Sequence, residues 1–246
     1  MRSGYSYKQT VGVPALISML RIGRKYQIAH LRQDAILQLK EWFPFTLEQA
    51  RKSPWFKADT GEEGATADHP ARHEAIALVN VLQECDAEVF LPQVFYCCAQ
   101  LDVDELVKGI TDSSGHRWEL SRHDLARCLR GRTWLRSLDQ DLHISMHLDT
   151  MRKECSEVLS CIVMVEQGSH LKRINVALQQ SVESVFNIND SPWQHPDLEP
   201  GFCSDCREYV DAQYEELCDE AWHSLAQEFD VSVEWPVVKD TQDKVE

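Results

Sequence analysis

Apolar residues recur at three- and four-residue steps along most of this chain and almost nowhere alternate with period two. In "VPALISMLRIGRKY", Leu16, Met19 and Leu20 share one helical face. Pro14 precedes them, and a first helical turn tolerates proline because the N–H it lacks would have no partner there. Ile28, Leu31, Ala35, Leu39 and Trp42 form a second stripe, predicting a helix through "QIAHLRQDAILQLKEWF" that Pro44 closes. "TLEQARKS" predicts a short helix ended by Pro54. Beyond a polar, glycine-containing stretch at 57–69, Pro70 opens a helix with Ala75, Leu78, Val79 and Leu82 on its buried face. "AEVFLPQVFYCCAQL" then predicts an apolar helix with an internal proline, and "DVDELVKGI" a short one capped by Asp102.

Ser121 and Asp124 form an S-x-x-D cap at the head of "SRHDLARCLRGRTWLRSLDQDLHISMHLD", in which Gly131 argues against one unbroken helix. The stretch from Lys153 to Phe186 has few breakers and predicts one or two helices around Gly168. "NINDSPWQHPDLEPG", with three prolines, predicts a loop. The last helix runs from about Cys203 to Phe229, with Cys206, Val210, Tyr214, Leu217, Ala221, Leu225 and Phe229 facing inward. "VSVEWPVV" predicts a terminal strand or an extended arm that packs Trp235.

The expected fold is therefore mainly α, an irregular multi-helix bundle with at most one short C-terminal strand or arm. The expected divisions are a leader at 1–13, a helix pair and short helix at 14–56, and an acidic linker at 57–69. A helical domain at 70–235 and a polar tail at 236–246 complete them.

Composition narrows the function. With 43% hydrophobic and 26% charged residues over 246 positions, the chain has an ordinary globular composition. A net charge of −15 argues against nucleic acid as the main partner, since phosphate neutralisation needs clustered cations. The charge is uneven: residues 1–58 carry ten Lys or Arg against three acids, the remainder fifteen against thirty-seven. A basic end facing an acidic one invites docking, within one chain or between two. Arg122, Arg127, Arg130, Arg132 and Arg136, interleaved with Trp118 and Trp134, form the one basic run of the acidic part. Pairing within the chain or with water is the expected use of that run, ahead of an anion patch. Nine cysteines, an odd count, do not make a disulfide scaffold, and Cys97 and Cys98 sit in an apolar run as buried thiols. No secretory signal opens the chain, and its most apolar run is too short to span a bilayer. The expectation is an intracellular protein, in cytoplasm or nucleus, without a membrane partner.

Bond-making chemistry is sparse. Cys203 and Cys206 in "GFCSDCREYV" have the spacing of half a zinc site, yet zinc wants four ligands. Cys218 lies twelve residues past Cys206, about 18 Å along a continuous helix. His195, or Cys155 and Cys161, are the remaining donors. The last two would stand about 9 Å apart on one helix, so at most one fits easily. Packing thiols, with no cofactor, is the favoured expectation, and zinc the alternative. His69/His73 and His143/His147 have H-x-x-x-H spacing, but Pro70 and Ile144 stand where a zinc peptidase needs glutamate. Nucleotide-binding glycine motifs and the G-x-S-x-G elbow are absent, and no enzyme is expected.

"ALISMLRIGRKYQIAHLRQDAILQLKEWFP" resembles the closing helices of a BTB/POZ domain, in the form found in a large family of fungal BTB-domain proteins. "AIALVNVLQECDAEVFLPQVFYCCAQ" is similar to that family's next segment, and "FCSDC", Trp222 and "FDVSVEW" to its end. The BTB core, a strand-and-helix fold, should precede the first helix pair, where about a dozen residues stand. The resemblance thus implies the last BTB helices and the region C-terminal to them. Dimerisation and cullin recruitment, which depend largely on the core, do not carry over. It implies a non-enzymatic protein–protein interaction module acting on a protein partner or another copy. Without the usual BTB packing surface, Leu16, Met19, Leu20, Ile28 and Leu31 are expected to lie exposed as the interaction patch.

Overall fold

The computed structural model describes residues 11–56, 72–112, 114–144, 155–156, 161 and 203–235. They form a mainly α-helical structure with one two-stranded antiparallel ribbon. The helices are α1 (Val13–Lys25), α2 (Ala29–Trp42), α3 (Leu47–Ala50), α4 (Ala75–Glu84), α5 (Leu91–Ala99), α6 (Val103–Lys108), α7 (Arg122–Ile144) and α8 (Ser204–Glu228). Strands β1 (Ile110–Thr111) and β2 (Arg117–Trp118) pair Ile110 with Trp118.

The core is built around α4 and α5. Every residue of α5 is buried, as are seven of the ten in α4, so neither helix has the polar stripe of a surface helix. The α1–α2 pair packs on α4, while α7 and α8 close over α5. Within the pair the backbones approach closely, since a Cβ on Gly23 would lie 3.0 Å from the Arg32 nitrogen. Rings stitch the layers together: Phe45 stacks on Phe90, Phe56 on Tyr96 and Phe95 on Phe229. The Trp222 indole of α8 donates to the Phe45 carbonyl at 3.1 Å. One hydrophobic cluster therefore runs from Val13 to Val231. The basic N-terminal segment docks on acidic side chains of the later chain, through Arg21–Glu84, Arg24–Asp86 and Arg51–Glu215.

Several expectations change. The apolar helix expected to carry an internal proline begins only at Leu91, and Pro92 occupies its first turn. The break before it lies at Asp86, in the left-handed region (φ 53°), where the Ala87 N–H reaches back to the Leu82 carbonyl. Gln27 after α1 and Asp230 after α8 adopt the same conformation, with Ile28 bonded to Gly23 and Val231 to Ala226. These are Schellman-type endings made without glycine, so the usual stop signal is missing from the sequence. Gly131 does not interrupt α7. The Phe229 ring packs on it where any Cβ would intrude. The expected C-terminal strand is not formed over 231–235. That segment is an arm whose Trp235 indole donates to the Trp222 carbonyl at 2.7 Å. The pairing instead occurs in the unexpected β1–β2 ribbon.

Leu16 and Leu20 are corrections too. Both are fully buried in the core, while Met19, Ile28 and Leu31 are half-buried. The stripe is covered by α2 and α4, so it is not an exposed patch. Of the leader expected at 1–13, Val13 already belongs to α1 and residues 1–10 lie outside the described residues, as do the 57–69 linker, the tail and the helix expected around Gly168.

Candidate metal centre

Four cysteine sulfurs converge at the start of α8. The Sγ atoms of Cys155, Cys161, Cys203 and Cys206 all lie within 4.8 Å of one another. Cys203 is the N-cap residue of α8, with extended backbone (φ −59°, ψ 160°), and Cys206 follows in the first turn. That geometry turns both thiols to one side of the helix end. Cys155 lies outside helix and Cys161 within one, so the chain does not carry them as two positions of a single straight helix. The 9 Å separation expected between them therefore does not hold, and both reach the cluster. Cys155 Sγ stands 3.8 Å from Cys203 Sγ, and the Cys203 N–H donates to Cys161 Sγ at 3.4 Å.

The four differ in exposure. Cys161 and Cys206 are 1% and 3% exposed, whereas Cys155 and Cys203 are half-buried. Their acidities diverge with their surroundings. The Cys206 backbone amide, helped by the Cys206, Ser156 and Cys161 side chains, lowers the Cys203 thiol to about 6. Burial raises Cys206, reinforced by its neighbouring thiols, and burial likewise raises Cys161.

This donor set suits zinc. A tetrahedral ion with Zn–S bonds of about 2.3 Å has sulfur–sulfur edges of about 3.8 Å, the spacing of the Cys155–Cys203 pair. Four protein ligands close the coordination shell, the form taken by structural zinc sites. The positive end of α8 would offset the excess negative charge of a tetrathiolate held there.

Other singled-out residues do different work. Cys218 is buried in the hydrophobic core. Cys97 and Cys98 are fully buried, and burial together with the hydrogen bond that Cys98 donates to Cys128 pushes the Cys98 thiol up. Of the basic run, Arg127 pairs with Asp124 and Arg130 with Asp230. Arg132 is buried and donates to the Ala99 and Leu101 carbonyls at the end of α5. His73 is exposed. His69, His147 and His195 lie outside the described residues, as does the His143 side chain. On α7, Leu129, Arg130, Thr133, Trp134 and Ser137 line an open depression of about 490 Å³ that offers no nucleophile beyond two hydroxyls.

Sequence reasoning missed Asp112, which organises the ribbon. Its Oδ1 accepts from the Ser114 N–H and hydroxyl and from the His116 N–H, and its Oδ2 from the Trp118 indole. The D-x-S-G-H order was the available signal. No protein-family model, curated protein or solved structure matches the chain.

Proposed function

We propose that this chain is a zinc-stapled helical domain that works through protein contacts rather than by catalysis. The convergence of four sulfurs within 4.8 Å carries the metal reading. Zinc there would fasten the start of α8 to the segment bearing Cys155 and Cys161, which are 42 or more residues away in sequence. A closed tetrathiolate leaves no position for substrate, so its contribution is to folding. All nine cysteines are free, as a reducing compartment requires, which supports an intracellular setting.

The contact reading takes its support from the surface of the α1–α2 pair and from the BTB resemblance of the same segment. Tyr26 and Leu37 are 63% and 60% exposed, and Ile22 lies one turn before Tyr26. These apolar residues replace the buried Leu16 and Leu20 as candidates for a partner or second copy.

Protein purified under reducing conditions should contain one zinc per chain, and X-ray absorption should show four sulfurs at about 2.3 Å. Cys161→Ser and Cys206→Ser should each lower zinc occupancy. Substoichiometric zinc that persists after anaerobic reconstitution removes the metal reading. For the contact reading, light scattering on wild type and on the Tyr26→Asp, Leu37→Asp double variant should show an assembly only in the former. An unaltered monomer in both, with no partner recovered, counts against it.

A further inference from the structure

We infer that Cys155 and Cys203 are a peroxide-sensitive pair whose oxidation to a disulfide ejects the metal; this rests on the zinc reading above. The four sulfurs are not equivalent. Cys161 and Cys206 lie in the protein interior, while Cys155 and Cys203 keep part of their surface in solvent. The two accessible sulfurs are in contact with each other at 3.8 Å. A small oxidant therefore meets first two ligands that already touch each other.

The step balances with hydrogen peroxide as oxidant. One accessible ligand sulfur attacks a peroxide oxygen; an S–O bond forms, the O–O bond breaks, and hydroxide leaves to become water on protonation. The second sulfur attacks the resulting sulfenic sulfur; the S–S bond forms, the S–O bond breaks, and a second water departs. Two thiolates supply two electrons, and solvent supplies two protons. Zinc is left with Cys161 and Cys206, half of its shell, and dissociates. A dithiol reductant reverses the bond by exchange and lets zinc rebind.

The neighbouring alternative is a Cys203–Cys206 disulfide, favoured by nearness in sequence. It would have to be made at Cys206, a residue that is 3% exposed. The two outcomes leave different cross-linked peptides.

Full-length, zinc-loaded protein is treated with graded hydrogen peroxide. Released zinc is followed with a chromogenic chelator, and non-reduced peptides are mapped by mass spectrometry. One zinc should appear per disulfide, with the Cys155–Cys203 linked peptide at least tenfold above any link to Cys161 or Cys206. Dithiothreitol should restore zinc uptake. The Cys155→Ala variant should lose that peptide; because this variant removes a ligand and threatens folding, the wild-type map is decisive. Protein that never contains zinc overturns the metal reading and the ejection with it. Zinc-loaded protein that yields another disulfide, or retains its metal while its thiols oxidise further, overturns the oxidation pair alone.

Discussion

Asp112 and Gly131 show how much one residue settles in this chain. Hydrogen bonds from the Ser114 hydroxyl and the Trp118 indole hold the Asp112 carboxyl at about 2, below its ordinary 3.8. Because the folded value is depressed, the stability it contributes is complete above pH 3.8 and is lost as pH falls toward 2. An NMR titration should place the Asp112 carboxyl midpoint near 2, with the Trp118 indole proton shifting in step. A midpoint close to 4 would deny those bonds. At Gly131 two effects oppose. Alanine is better in a helix by about 1 kcal/mol, but its Cβ would press into the Phe229 ring. Overpacking of this kind costs about 1–3 kcal/mol, so Gly131→Ala should lower the thermal midpoint. A raised midpoint would mean that Phe229 swings aside freely. The Asp112 role is local and had a signal in the D-x-S-G-H order, whereas no sequence pattern exposes that of Gly131, which depends on the Phe229 ring approaching from elsewhere.

At the scale of elements, helix starts were more legible than helix stops. Asp102 caps α6 with a full capping box, and Ser121 caps α7 with Asp124, as their spacing predicts. Starts are written locally, in the few side chains able to reach the orphan amides. The stops of α1, α4 and α8 are made by Gln27, Asp86 and Asp230 in a backbone region that favours glycine. The left-handed conformation costs a non-glycine residue about 1–2 kcal/mol, and glycine's extra freedom when unfolded returns about half of that. Gln27→Gly at this exposed turn should therefore stabilise the protein by about 0.5–1 kcal/mol in urea denaturation. A loss of stability would show that the Gln27 side chain earns its strained position. The expected division between the helix ending at Cys85 and the apolar segment opening at Ala87 falls at the Asp86 turn.

Across the whole molecule, the core and the thiol cluster are separable sources of order. Trp222, Leu225 and Phe229 anchor the second half of α8 in the common hydrophobic cluster, while the four sulfurs gather at its first turn. If the proposed zinc is bound there, its chelation should raise amide exchange in the first two turns of α8 by at least tenfold and leave α5 protected, as expected of local opening. Equal loss of protection in α5 would make the metal part of global stability. The Arg21–Glu84 and Arg24–Asp86 pairs that join α1 to later acids lie at the surface and are worth about 0–1 kcal/mol each. They orient the docking of α1 more than they hold it.

The sequence by itself determined the helical class, most helix starts, the buried thiol character of Cys97 and Cys98, and the close spacing of Cys203 and Cys206. Each arises from periodicity or from contacts within a few residues, which spacing records directly. Tertiary structure decided that Leu16 and Leu20 are core, that Gly131 seats a ring, and that Cys155 and Cys161 meet the C-x-x-C pair. Those outcomes depend on which surfaces arrive from distant parts of the chain. Spacing measures distance along a straight element, and it gives no measure once the backbone turns between two residues.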